Sequence, residues 1–328
     1  MLSFNLRNSK SISLVIKDHV IRSVTVNQNE LTTPVSYGEK YLPPGIIRDG
    51  KILDRDQLLL FLEECVADWG LRKKKVHFVV PESHVFFRKL TLPKSVKKEE
   101  IKGYLFIELG NSIPLPFKNP TFDYVLLNED AEEKEILLFA SPEEIIHEYK
   151  ALLEEAKVTP VSIEINALSM YRIVSRMDKV IPRIHTMFIE FDAHAISLSI
   201  FQDDKPQYIH HLVNASQSEQ FEISRSRAEA ELEFVGDEMV LMGDIQDAIG
   251  EIERIMNFYK YSLYKGEQEV TMVFLGGDHP YLHHIFNQLN ENLQLELYSS
   301  KQLLKEAEIE LAPQYLTTMG LAYKEVQS

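Results

Sequence analysis

Two stretches of this chain carry the same short pattern, and any fold must accommodate both. Residues 187–202, from Met187 to Gln202, read as two apolar strands joined by a short polar turn. Near the start, Leu2 to Leu6, a polar turn at Arg7 to Ser11 and then Ile12-Ser13-Leu14-Val15-Ile16 make the same arrangement. Ile-Ser-Leu-x-Ile thus occurs at Ile12 and at Ile196, each time after a strand and a turn, and each time leading into a turn with Asp18 or Asp203-Asp204. Such an echo implies an internal duplication organised around the two hairpins.

A chain of 328 residues is too long for one ordinary core, so about two domains are expected. No apolar run approaches the roughly 18 residues that span a bilayer, and Met1 leads into a strand and not into a leader segment, which points to the cytoplasm. The single cysteine, Cys65, excludes an internal disulfide framework and sits on the apolar side of a helical pattern, where packing is its role. A net charge of −15 disfavours nucleic acid, whose affinity comes from neutralising phosphates. The charge is uneven: Arg72 to Lys102 is a basic block, and Glu129 to Glu155 is acidic. These are solvated faces or, more specifically, a surface for an acidic partner or the inner membrane leaflet.

From Asp54 the spacing of Leu58, Phe61, Leu62, Cys65 and Trp69 predicts a helix, capped by Asp54 or Asp56 and stopped at Gly70. Val76 to Val80 is a strand buried on both faces. A strand from Val85 to Pro93, a helix from about Lys97, strands at Phe122 to Leu127 and Ile136 to Ala140, and a helix from Pro142 to Ala156 then form an inserted α+β module. Further on come a strand at Val161 to Ile165, a helix at Ala167 to Met177, the second hairpin, and a loop or weak edge over Asn214 to Arg227. A long helix at about Asp244 to Tyr264, a strand at Val270 to Leu275, a helix at His283 to Leu289, a strand at Leu295 to Tyr298 and a helix at Tyr315 to Tyr323 complete the chain.

Among polar groups, Gly276-Gly277 between a strand and a helix would let an anion approach the backbone, or simply makes a tight turn. His279 and His283 are spaced i, i+4, but Pro280 stands at the helix start and no further ligands cluster there, so a structural role is favoured. His210-His211 follows a strand, where neighbours point to opposite faces. Ser83-His84 lacks a paired acid, so nucleophilic hydrolysis has no support.

The order of hairpin, helix, inserted module, hairpin, long helix and strand-Gly-Gly-helix resembles the actin-like ATPase fold. Within it, the chain resembles the type IV pilus assembly protein PilM family, related to FtsA. The resemblance is carried by Phe87-Arg88-Lys89-Leu90-Thr91-Leu92-Pro93 with Ile113-Pro114-Leu115-Pro116-Phe117, by Ile163-Glu164-Ile165-Asn166-Ala167-Leu168, by Glu251 to Tyr259, by Phe274-Leu275-Gly276-Gly277, and by the closing Met319-Gly320-Leu321-Ala322.

The resemblance implies an α/β, actin-like (ribonuclease H-like) duplicated fold. Its first domain takes in 1–83 and 157–186, with 312–328 returning to it; 84–156 is the inserted α+β subdomain and 187–311 the second domain. It further implies a cytoplasmic scaffold, peripheral to the membrane through its partner, that docks the N-terminal tail of a PilN-like membrane protein near the inserted module. The machine is a pilus or a competence pseudopilus, with self-association left open. Phe87, Arg88, Leu90 and Phe106 are the candidate partner-binding residues.

Actin-like ATPases grip phosphates with two turns reading Asp, apolar residue, Gly. The corresponding triplets are Asn5-Leu6-Arg7 and Glu190-Phe191-Asp192, and both glycines are gone. Asp278 stands where a further family glycine is common. Cofactors are therefore none or weak ATP/Mg²⁺, no hydrolysis is expected, and no catalytic residue or metal ligand is assigned. The alternative is an active ATP-binding relative, with nucleotide in a cleft lined by Asn8, Ser9, Lys10, Glu190, Asp192, Gly276 and Gly277. A sugar or acetate kinase of this fold lacks both phosphate turns and a catalytic base.

Overall fold

A computed structural model describes residues 10–127, 134–213, 220–225 and 230–324. Strands β1 (Lys10–Ile16) and β2 (Val20–Asn27) are buried along most of their length. They turn through Lys17-Asp18-His19, where the Lys17 N–H donates to Val20 O at 2.8 Å. Strand β3 (Ser36–Tyr41) extends this meander. A small ribbon, β4 (Ile47–Arg48) with β5 (Lys51–Ile52), leads to helix α1 (Arg55–Asp68). The Asp54 carboxylate accepts the Gln57 N–H at its start, and Gly70 at φ +65° ends it, as the sequence predicts. Strand β6 (Lys75–Val79) follows.

The inserted run then contributes β7 (Phe86–Leu92), α2 (Ile101–Glu108), β8 (Pro120–Leu126), β9 (Lys134–Pro142) and α3 (Glu143–Glu155). Its sheet is antiparallel in the order β7-β9-β8, over a core that includes Leu92, Ile101, Leu105, Ile136 and Leu138. Helix α3 packs elsewhere: Ile145, Tyr149, Leu152 and Leu153 join Leu14, Leu58 and Phe78 in the core of the first large sheet. The sequence grouped α3 with the module because an apolar stripe at helical spacing reveals a buried face without naming what covers it.

The chain continues through β10 (Thr159–Glu164), α4 (Asn166–Arg176), β11 (His185–Phe191), β12 (Ala195–Gln202) and β13 (Lys205–Val213). Within the predicted loop lies part of a hairpin, β14 (Phe221–Arg225) with β15 (Ala230–Phe234). Helix α5 (Glu238–Asn257) begins earlier than its apolar spacing suggests and runs into a π turn at Phe258–Leu263. Strand β16 (Val270–Gly276), α6 (Leu282–Asn292), β17 (Glu296–Ser299), the short α7 (Ser300–Glu306), which the sequence reading missed, and α8 (Leu316–Ala322) complete the fold.

Both five-stranded sheets follow one plan, β10-β6-β1-β2-β3 and β17-β16-β11-β12-β13. β1 is antiparallel to β2 and parallel to β6, as β11 is antiparallel to β12 and parallel to β16. The duplication is therefore real, but the echo that suggested it pairs unlike strands. Ile12 lies on the first strand of one sheet and Ile196 on the second strand of the other; the counterpart of Ile196 is Ile21, since Ile16 faces Ile21 as Phe191 faces Ile196. Alternating β-formers repeat every two residues whichever strand carries them, so a five-residue match does not fix equivalence.

Helices α4 and α8 sit between the sheets in a core shared by Val24, Ile173, Phe188, Phe274 and Met319. At Gly320 a Cβ would lie 2.0 Å from Ser169 O, so the two helices pack backbone to backbone. Glu164 completes the joint, accepting from Arg172 at 2.6 and 2.7 Å and from Lys324 at 3.0 Å. Burial alone would raise the Glu164 carboxyl, but Arg172 and Lys324 hold it below its ordinary value.

Candidate functional site

The two hairpin turns face each other across the cleft between the sheets. In the second, the Asp192 N–H donates to Ala195 O at 2.9 Å, the counterpart of the Lys17 bond to Val20 in the first. The matching triplets are therefore Val15-Ile16-Lys17 and Glu190-Phe191-Asp192, with Lys17 and Asp192 at the two positions the resemblance reserves for glycine. These two residues bind each other. Lys17 Nζ lies 2.5 Å from Asp192 Oδ2 and 3.1 Å from Glu190 Oε1.

A second group of charges lies beside this pair. The Asp278 carboxylate sits 2.7 Å from His19 Nε2 and accepts the Ala193 N–H at 3.3 Å, while its own N–H donates to Asp192 Oδ1 at 3.1 Å. Arg22 Nη2 is 2.8 Å away as an ion pair, and Arg22 Nε donates to Glu39 at 2.5 Å. Arg22 is only 1 % exposed, so its charge depends on these two carboxylates. A turn amide that would face an incoming anion is thus already given to a side-chain carboxylate.

Burial raises acids and lowers bases, and here the partners decide the balance. For Asp278 burial is outweighed by His19 and Arg22, which hold its carboxyl well below the usual range. Asp192 is pushed up by burial and by Asp278, against the pull of Lys17. Lys17, which burial alone would lower, is kept above its ordinary value by Asp192 and Glu190. Burial, with Glu190 adding to it, pushes Glu82 up to about 8. Burial and neighbouring His19 bring His194 down to about 3. Lys17, Glu82, Asn166, Glu190, Asp192 and His194 line a cavity of about 80 Å³. Next to it lies a space of about 600 Å³ bordered by Asp18, His19 and His194, and Gly277 and Asp278 border another of about 1140 Å³.

Glycines here serve the chain itself. Gly277 has φ +122°, and a Cβ on it would lie 2.1 Å from Phe191 O; Gly276 lies against the Met170 methyl group. Asn166, from the Ile163–Leu168 motif, donates to Glu190. Of the other residues assigned to the cleft by sequence, Asn8, Ser9 and the triplet Asn5-Leu6-Arg7 lie outside the described residues. Lys10 is exposed at the far end of β1, roughly 20 Å along the strand from the turn, and does not reach the cleft. Its assignment followed the same misplaced echo. Sequence reasoning passed over Lys17, His19 and Arg22, although a polar triplet between two apolar runs is itself the hairpin signal.

The four candidate partner residues do not form one surface. Phe87 lines a groove of about 390 Å³ between β7 and β13, with Val85, Phe86, Ile209 and His210. Arg88 is exposed, with its guanidinium 5.0 Å from the Phe86 ring centre. Leu90 is half-buried against the module's core, and Phe106 stands exposed on α2. His279 precedes α6, is buried, and packs edge-on against Phe191 and Phe221. Among the described residues no group of three or more His, Cys, Asp or Glu side chains is placed to hold a metal ion.

The family profile described as type IV pilus assembly protein PilM matches residues 15–325. The chain superposes on a solved structure titled PilM-PilN type IV pilus biogenesis complex with TM-score 0.74 and 18% identity, over 96% of this chain and 98% of that one. It also resembles the ethanolamine utilization protein EutJ from Carboxydothermus hydrogenoformans, with TM-score 0.52 and 11% identity over 97% and 90%. No match was found among curated protein sequences. Together with the repeated sheet plan, these likenesses identify the fold as actin-like.

Proposed function

Because the chain belongs to the type IV pilus assembly protein PilM family, we propose that it is a non-hydrolysing, cytoplasmic scaffold of a pilus or competence pseudopilus platform. It docks the N-terminal tail of a PilN-like membrane protein. The observation that carries this reading is the Lys17–Asp192 pair, which puts a salt bridge where two glycines would admit phosphates. Asp278 reinforces it by occupying the Ala193 amide. A polyphosphate entering beside Glu190, Asp192 and Asp278 has to displace Lys17, His19 and Arg22 from these carboxylates, and breaking a buried pair costs about 3–5 kcal/mol. No helix among the described residues is long and apolar enough to cross a membrane; in this reading the PilN-like partner ties the chain to the platform. The groove between β7 and β13, where Phe87 lies, suits an extended apolar segment.

Calorimetry of the full chain tests this, using the N-terminal peptide of the co-encoded single-span protein, with and without Mg²⁺-ATP. Micromolar peptide binding that ATP leaves unchanged, with no heat from ATP alone, is the expected result. Micromolar ATP affinity, or steady phosphate release, overturns the non-hydrolysing reading; absence of peptide binding overturns the partner.

A further inference from the structure

The end of the first sheet farthest from the cleft carries a cluster of unpaired cations. Strands β10, β6 and β1 are neighbours and run parallel, with Thr159 beside Lys75 and Ser13 beside His77, so all three start side by side. Each start brings positive charge: Lys157 before β10, Arg72-Lys73-Lys74-Lys75 leading into β6, and Lys10 at the head of β1. The Lys73 N–H donates to Lys157 O at 2.7 Å and the Thr159 N–H to Lys74 O at 2.9 Å, which ties the two turns together. All six side chains are exposed, and none has an ion pair or side-chain hydrogen bond among the described residues. Two of the neighbouring acids are neutralised: Glu155 pairs with Arg55 at 2.5 Å and Glu154 with Lys150 at 3.9 Å. Asp68, on the last turn of α1, and Glu30, three residues past the end of β2, are unpaired acids at this end, and the six cations outnumber them. The basic stretch of the sequence therefore divides in the fold. Lys89 on the inserted module is taken by Glu135 at 3.0 Å, whereas Arg72 to Lys75 stay free.

We propose that this sheet end rests directly on an anionic lipid surface, with Lys10, Arg72 to Lys75 and Lys157 lying over the headgroup phosphates. The composition of the patch selects this partner over a protein. Protein interfaces are depleted of Lys and built round aromatic or Arg anchors in apolar surroundings, whereas five of these six cations are Lys and the flanking Leu71, Val76 and Val158 are buried. A fluid layer of phosphates asks for no shape complementarity, and each Lys or Arg held near it adds attraction. The net charge of −15 does not cancel this. At physiological salt the screening length is about 8 Å, while the acids of the cleft lie roughly 20 Å away along β1. The acidic excess instead orients the molecule, keeping its other faces off the surface. Tail docking is left free, because the groove beside Phe87 opens from Glu82 and Ser83, past the opposite end of β6.

Flotation of the full-length chain, without peptide, with vesicles of equimolar phosphatidylglycerol and phosphatidylcholine tests the proposal. Wild type is expected to float with these vesicles and not with phosphatidylcholine alone, and to be released at about 1 M salt, where the screening length is about 3 Å. Arg72→Gln with Lys74→Gln should lower the vesicle partition coefficient about tenfold or more. Lys73 and Lys157 have φ of +60° and +67°, a region that asparagine tolerates, so Lys73→Asn with Lys157→Asn removes as much charge without straining the turns and should match that loss. Lys97→Gln with Lys102→Gln, on the inserted module, should bind as wild type does. All six positions are exposed, so thermal unfolding of the three variants should match wild type. No flotation of wild type, equal binding to neutral vesicles, undiminished flotation of the two patch variants, or an equal loss in the module variant overturns the proposal. Salt-sensitive self-association of wild type in sedimentation, lost in the patch variants and without flotation, also overturns it and assigns the patch to an acidic face of a second copy.

Discussion

The two turns at the centre of the molecule share a backbone plan, and the side chains that meet between them are of opposite charge. The first brings Lys17 and His19, with Arg22 just beyond it on β2; the second brings Glu190 and Asp192, with Asp278 packed beside it. A duplicated frame places equivalent turns face to face. In this chain the substitutions on the two sides complement each other, so the halves are joined by their own side chains. Each turn alone would bury an uncompensated charge; together they are nearly balanced.

That complementarity can be broken in graded steps. Arg22→Ala strands Asp278 and Glu39 in the interior and should destabilise the chain by about 3–5 kcal/mol in urea unfolding. Gly277→Ala forces a side chain into positive φ against Phe191 O and should cost about 3 kcal/mol, whereas Gly276→Ala, whose tightest neighbour is the flexible Met170 methyl, stays below about 1 kcal/mol. Equal effects at the two glycines would refute the close backbone approach. Lys17→Asp turns both sides acidic and should cost about 2 kcal/mol, and adding Asp192→Lys should recover at least about half of it. No recovery in the double variant would mean that the turns do not read each other's charge.

A smaller effect concerns Glu82, which adds a fourth acid to the anionic side. Its folded-state value of about 8 lies above the ordinary 4.5, so ionising it opposes folding. The penalty is absent below about pH 4.5, grows as pH rises, and is complete above about pH 8. Glu82→Gln should therefore be more stable than wild type by about 1 kcal/mol above pH 8, with the difference vanishing towards pH 4.5. Solvent contact at the Glu82 side chain, 15% exposed, keeps the effect small. A constant difference across this range would show that Glu82 does not titrate as a buried acid.

Helix α1 shows what was legible in the chain alone. Its spacing, its Asp54 cap and its Gly70 stop are local signals, and all three appear in the fold. The near-continuous apolar β6 and β16 likewise take interior places in their sheets. Glu190 and Asp192 were recognisable as an altered turn because they follow an apolar strand. Lys17 was not, because its meaning depends on a residue 175 positions away.

The sequence by itself determined most of the elements and the altered second turn, since periodicity and turn chemistry act over a few residues. Only the tertiary structure decided which strands are equivalent, that α3 serves the first sheet, and that Lys17 answers Asp192. A strand's alternation and a helix's stripe state that a face will be buried. What buries it, and which charge meets which, is fixed when distant segments pack, because burial strengthens pairing between groups that the chain order keeps apart.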